Sequence, residues 1–285
     1  MKVWLKPSNY ERRYSRLFVK LLIEFKAEIL NQLKIVKQRK DDNEPLEEDS
    51  NDIDYLIAAL LLWWQSRRRT LYVNFSGYFN EVNNFNDNQF RLVIKSITGL
   101  SISPNKLALY SPTTLVSQTE SLFKYFGESA DIYREESYLK PIRENWETIQ
   151  QVYIDKVINE SISNIELAAR NAVVSGVTRK GLLGIIDKLL DTTSNRVDKF
   201  AKDQINNLDT QLTTNRQQSL GFDEYIWITR RDERVRGNPN GIYPKMKPSH
   251  FHRDNVIFKW SKPPEGGHPG QAPGCRCTAQ IKPRK

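Results

Sequence analysis

LTTNRQQSLGFDEYIWITR, residues 212–230, is where the chain changes its period. Upstream of Gly221 the apolar residues recur every three or four positions. Val197, Ala201, Ile205, Leu208 and Leu212 form one stripe, the pattern of a helix with one buried face. Gly221 tolerates the left-handed backbone that ends a helix. Beyond it, Tyr225-Ile226-Trp227-Ile228-Thr229 is β-branched and aromatic and reads as a strand. So do Val256-Ile257-Phe258-Lys259-Trp260 and Cys277 to Ile281. The connections between them are rich in Pro and Gly. The sequence therefore predicts an α+β chain: a mostly helical N-terminal region, then a small C-terminal α+β module with short antiparallel strands. Strands this short bury little area, and such a module needs a local staple.

Working back from that junction, residues 8–38 read as a long helix, with Tyr10, Tyr14, Leu17, Leu21, Phe25 and Ile29 on one side. The acidic stretch Asp41 to Asp54, with Pro45 inside it, reads as a solvated linker. Helical pattern resumes near Asp52. It carries Leu56 to Trp64, apolar all round and therefore expected to be buried in a bundle, then Arg67-Arg68-Arg69 on a solvated face. Asn83 to Asn88 breaks the pattern, so a separate short helix is expected over 89–97, capped at Gly99. Residues 100–137 give no clear period. Leu139 to Val174 is again helical. A short helix is expected after Thr178, and a longer one from Thr193 or Ser194 to Leu220. Three regions follow: 1–138, helical; 139–221, helical; and 222–285, the small basic module.

At 285 residues, 39% hydrophobic and 27% charged, the chain has the composition of a soluble globular protein large enough to bury a core. Met1-Lys2-Val3-Trp4 opens into a charged amphipathic segment with no apolar run of the secretory kind, which predicts synthesis in the cytosol. The most apolar run, Tyr55 to Trp64, is half of the roughly 20 residues a bilayer requires, so no membrane partner is expected.

The net charge of +9 is concentrated at one end. Trp227 to Lys285 holds thirteen Lys and Arg against four Asp and Glu, while the preceding residues balance. The same end holds all three histidines, both cysteines and eight of the thirteen prolines. A basic end of this kind predicts a polyanion nearby, and DNA fits best. The expected DNA contacts are Arg230, Arg231, Lys245, Lys247, Arg253, Lys259 and Lys262, set among Trp227, Tyr243, Phe251 and Trp260. Contacts from Lys and Arg to phosphate are independent of sequence and sensitive to salt.

Cys275 and Cys277 stand too close in sequence for an unstrained disulfide and read as thiols or metal ligands. With His250 and Asp232 they would supply the four donors of a structural zinc site. His268 is a further potential ligand. The same residues also admit a metal-free loop lock, with Asp232 accepting from Arg234, Arg236 or backbone N–H groups and the cysteines packing as small apolar residues. A structural zinc is the one cofactor the sequence admits. No Gly-rich phosphate loop, GxSxG or HExxH occurs, and Asp232, Glu233 and Asp254 are few for a nuclease.

The order of these motifs carries a resemblance. Trp227-Ile228-Thr229-Arg230-Arg231-Asp232-Glu233-Arg234-Val235-Arg236 precedes Pro248-Ser249-His250. Trp260, Pro263-Pro264, His268-Pro269-Gly270 and Cys275-Arg276-Cys277 follow. The helix from Ala201 through Asn215-Arg216-Gln217 to Gly221 leads into them. The whole resembles the head-morphogenesis domain of phage minor head proteins, the family typified by phage Mu protein F, and covers roughly the second half of the chain. One departure is the insert from Gly237 to Lys247, expected to be a surface hairpin because Asn238-Pro239-Asn240-Gly241 is a turn signal. The insert makes His252 the next candidate for the family histidine.

The resemblance implies a protein with no catalytic activity, incorporated into the procapsid in few copies, associated with the portal and retained in the virion. Some members of the family bind DNA and influence how it leaves. The expectation is thus a minor head protein of a tailed bacteriophage. Its partners would be the portal protein, the major capsid or scaffolding protein, and double-stranded DNA without sequence preference. It would sit in the capsid interior near the portal, after a stay in the host cytoplasm during assembly, with residues 1–138 offering docking surface. The alternative is a metal-dependent nuclease or toxin-like effector carrying the same C-terminal module.

Overall fold

The computed structural model describes residues 5–36, 50–99 and 136–282. Among the described residues four long helices come first: α1 (Ser8–Val36), α2 (Ser50–Thr98), α3 (Leu139–Val174) and α4 (Arg179–Ser219). Three short strands follow, β1 (Glu224–Ile228), β2 (Ile257–Lys259) and β3 (Thr278–Ile281), with a 3₁₀ turn at Phe251–Arg253. The strands form one antiparallel sheet in the order β2-β1-β3. The fold is α+β.

The chain forms two compact units, each assembled from separate stretches, and all four helices contribute to both. The first comprises Met1–Glu11, Tyr78–Glu144 and Lys202–Lys285; the second comprises Arg12–Gly77 and Asn145–Ala201. The second unit is helical with an aromatic core. Tyr14 packs edge-on against Phe18 at 5.0 Å between ring centres and lies 5.4 Å from Trp146, while Phe18 stacks on Phe75. Two polar groups are fixed there by partners: the Tyr14 hydroxyl donates to Gln150 (3.0 Å), and Asp155 accepts from Trp64 (3.0 Å) and Tyr72 (2.6 Å).

The first unit holds the sheet. Buried Tyr225 and Trp227 alternate with half-buried neighbours along β1, as expected of a strand with one face on a core. α4 ends in the cap its glycine predicts. Gly221 has φ +73°, and the N–H groups of Gly221 and Phe222 donate to the carbonyls of Gln218 and Gln217. The stripe Val197, Ala201, Ile205, Leu208 and Leu212 is fully buried.

Three expectations are corrected. Asn83 to Asn88 does not interrupt α2, which runs unbroken through it. Asn costs a helix at most about 0.7 kcal/mol relative to Ala, and Asn86 gains three bonds in return. Its buried amide donates to the Asp209 carbonyl (3.0 Å) and carboxylate (2.8 Å) and to the Thr213 hydroxyl (2.8 Å). The two helices expected between Thr178 and Leu220 are one. Thr192 and Thr193 sit inside α4 because their hydroxyls donate to the carbonyls of Lys188 (3.0 Å) and Leu189 (2.9 Å), one turn back. The run Leu56 to Trp64 is not buried all round: Leu56, Leu60 and Trp64 are, whereas Leu62 is 65% exposed. The acidic stretch over 41–49 and the segment over 100–135 lie outside the described residues.

Candidate metal centre

The C-terminal loops are held by α4 from several points. Gln217, fully buried, donates to the Ala279 carbonyl of β3 (3.1 Å) and accepts from the Trp260 indole (3.2 Å). Thr210 donates to the Pro269 carbonyl (2.7 Å), and Asp203 accepts from the Gly274 N–H (2.7 Å). Burial raises the Asp203 pKa, and the Gly274 bond and nearby Arg236 oppose that shift. His268 is half of a buried pair: its Nδ1 is hydrogen-bonded to the Tyr225 hydroxyl at 2.9 Å, and burial lowers its pKa, which favours the neutral ring.

Gly270 lies where these loops pass against the helix. Its φ is +92°, and an added Cβ would collide with the Thr210 hydroxyl and stand 2.9 Å from the Lys6 ammonium. The Gly270 N–H donates to Cys275 Sγ at 3.2 Å.

Arg236 sets the position of His250. Its carbonyl accepts from the N–H groups of both His250 and Phe251, each at 3.0 Å. The insert between them turns where its sequence says. Gly241 N–H donates to the Asn238 carbonyl (2.9 Å), and the two arms are joined by Ile242 N–H to Glu233 (2.7 Å) and Gly237 N–H to Tyr243 (2.9 Å). The described residues of the insert contain no strand. His250 is thereby packed at a steep angle to Trp227, 5.2 Å between ring centres, and is 2% exposed.

Cys275 and Cys277 are both buried and not disulfide-bonded. His250 Nδ1 faces the two sulfurs, at 3.5 Å from Cys275 Sγ and 3.7 Å from Cys277 Sγ. Nε2 of His250 is buried without a hydrogen-bond partner among the described residues. The two thiols are shifted in opposite directions. The bond from Cys277, opposed by burial and aided by His250, holds the Cys275 thiol well below the usual range; that same bond, together with burial, pushes Cys277 up. Arg230, Arg234, Arg236 and Arg276 line the small pocket that reaches the three side chains.

The structure thus brings together three of the four sequence-derived metal candidates. Asp232 stands apart. It pairs with Arg276 at 2.7 Å and accepts from the Arg234 N–H at 3.1 Å. Burial works to raise its pKa, but Arg276 and the Arg234 N–H outweigh that and leave it lowered. His252 is exposed and bonded to Ser249 (2.7 Å), so the cysteines' histidine is His250.

The basic candidates divide into two kinds. Arg230, Lys245, Lys247, Lys259 and Lys262 are exposed. Arg231 and Arg253 have structural bonds. Arg231 donates to Asp254 (2.8 Å), which also accepts from the Thr229 N–H (2.8 Å) and hydroxyl (3.0 Å). Arg253 lies over the Trp227 ring at 5.0 Å and donates to the Glu265 carbonyl (2.8 Å).

A polar network around α4 is not visible in the sequence. Arg216 is fully buried and donates to Glu136 (2.9 Å), Asn83 (2.6 Å) and Asn86 (2.6 Å). Asp209 faces Lys6 at 4.0 Å with both side chains buried. The signal for it is an Arg among polar residues inside an otherwise amphipathic helix, but nothing in the sequence names its partners.

Compared with known proteins, the chain is 34% identical over 132 residues to an uncharacterised protein of Haemophilus influenzae, a match that spans 46% of this chain and 25% of that relative. No solved structure matches the chain. No helix among the described residues is long and apolar enough to cross a membrane. The segment that holds all of α4, the β1-β2 region, His250 and both cysteines matches a family model: residues 163–280 are similar to phage Mu protein F like proteins.

Proposed function

We propose that this chain is a head-morphogenesis protein of a tailed phage, acting as a minor head protein that docks to the portal and contacts packaged DNA. The observation that carries this reading is the phage Mu protein F like domain at 163–280. Two features support the finer role. The basic end places exposed Arg230, Lys245, Lys247, Lys259 and Lys262 on one small module, suited to phosphate without regard to sequence. The long helices before it supply surface for the portal and for the major capsid or scaffolding protein. A metal nuclease would gather carboxylates around its ion; here Asp232 is bound to Arg276, and Asp254 to Thr229 and Arg231.

The test is the protein content of purified heads from the phage that encodes the chain. The reading expects the chain in finished heads, in few copies against the major capsid protein. A chain found in the infected cell but absent from both procapsids and heads would refute it.

A further inference from the structure

We propose that His250, Cys275 and Cys277 bind one zinc ion, leaving a fourth coordination position open to an exchangeable oxygen ligand on the arginine-lined side. The geometry of the three donors carries the proposal. Zinc takes sulfur at about 2.3 Å and imidazole nitrogen at about 2.0–2.1 Å in a tetrahedron, which sets the nitrogen–sulfur edge at about 3.5 Å. His250 Nδ1 stands 3.5 and 3.7 Å from the two sulfurs, and all three ligand atoms lie within 4.8 Å of one another. Thiol and imidazole are the donors zinc favours, and two thiolates balance its charge.

The surroundings suit an ion better than bare thiols. All three side chains are buried, and His250 Nδ1 points at the two sulfurs together. The Gly270 N–H aimed at Cys275 Sγ is the kind of outer contact that orients a metal-bound thiolate. Both cysteines belong to one buried cluster with Trp227, Ala272 and Ala279. Among the described residues no fourth His, Cys, Asp or Glu joins the group. The fourth position therefore falls to an outside ligand, and Arg230, Arg234, Arg236 and Arg276 at the pocket favour an oxygen that carries negative charge.

An ion here also fills the structural need that the short strands create. Cys277 adjoins β3, and His250 precedes the 3₁₀ turn that leads to β2. One ion would tie the loop between β1 and β2 to the segment that enters β3.

The experiment uses the full chain, purified under reducing conditions without chelator and analysed for metals. About one zinc per chain is expected. The Cys275→Ser, Cys277→Ser double variant should hold background zinc only, as should His250→Ala to a lesser degree. Because these variants can lose the fold, the wild-type chain carries the decisive arm. A chelator should strip its zinc and lower its unfolding temperature, and added zinc should restore both. Cobalt in place of zinc should give thiolate charge-transfer absorption and tetrahedral d–d bands, and added inorganic phosphate should shift the d–d bands. Wild type that purifies reduced with background metal and takes up none, or a double variant that keeps its zinc, overturns the site. A cobalt spectrum indifferent to phosphate overturns the open position.

Discussion

At Gly270 the backbone runs at φ +92° beneath α4, with Thr210 and Lys6 filling the space a Cβ would need. Both the conformation and the crowding exclude a side chain. Gly270→Ala should destabilise the protein by about 1–3 kcal/mol from overpacking, with backbone strain added to that. Chemical denaturation of the full chain measures it, and a midpoint unchanged from wild type would show that the loop is not seated under the helix. At this scale the sequence is partly legible. Cys275, Cys277 and His250 stand out as a group by their types and order, and they converge. The choice between His250 and His252 is not decidable from spacing, because the insert over 237–247 hides how far the chain has travelled. In the fold the decision rests on Arg236, whose carbonyl holds the His250 N–H and turns that ring inward. Asp232 has the right chemistry for a ligand, but an arginine one residue from each cysteine claims it.

Among the elements, the helices and strands are readable wherever burial follows a period. The α4 stripe, the glycine caps at Gly99 and Gly221, and the three strands lie where the pattern places them. The two helix breaks that the fold does not contain share one cause. Asn83 to Asn88 and Thr192 to Ser194 look like helix breakers because their side chains compete for backbone bonds. In the fold Asn86 directs its bonds to α4, and Thr192 and Thr193 direct theirs to their own helix. Local propensity is worth tenths of a kcal/mol here, and the tertiary contacts outweigh it. Arg216 is the test of this. Replacing Arg216 with Met leaves Glu136, Asn83 and Asn86 facing an apolar side chain in a buried site. The cost should be about 3 kcal/mol, the lower end for a broken buried pair, since Glu136 retains some solvent contact. Equilibrium unfolding would read it. A loss below about 0.5 kcal/mol, the size of an ordinary surface substitution, would mean the network is not what continues α2 through its asparagines.

Over the whole molecule, charge asymmetry and motif order are legible, while the pairing of distant segments is not. Lys6 reaches Asp209, and Asn86 reaches Thr213, across separations that no periodicity encodes. The two compact units are likewise each built from stretches far apart in sequence. The basic end, by contrast, is a property of composition, and its consequence is measurable. Lys245, Lys247 and Lys259 replaced together by Gln should weaken binding to duplex DNA uniformly across sequences. The slope of log affinity against log salt should fall by about 0.9 for each phosphate that is no longer neutralised. An affinity that ignores salt would remove the DNA role. A role in head assembly is checked by counting this chain in procapsids formed with and without the portal protein of the same phage. A few copies per procapsid are expected when the portal is present and none when it is omitted. Equal amounts in both would rule out recruitment through the portal.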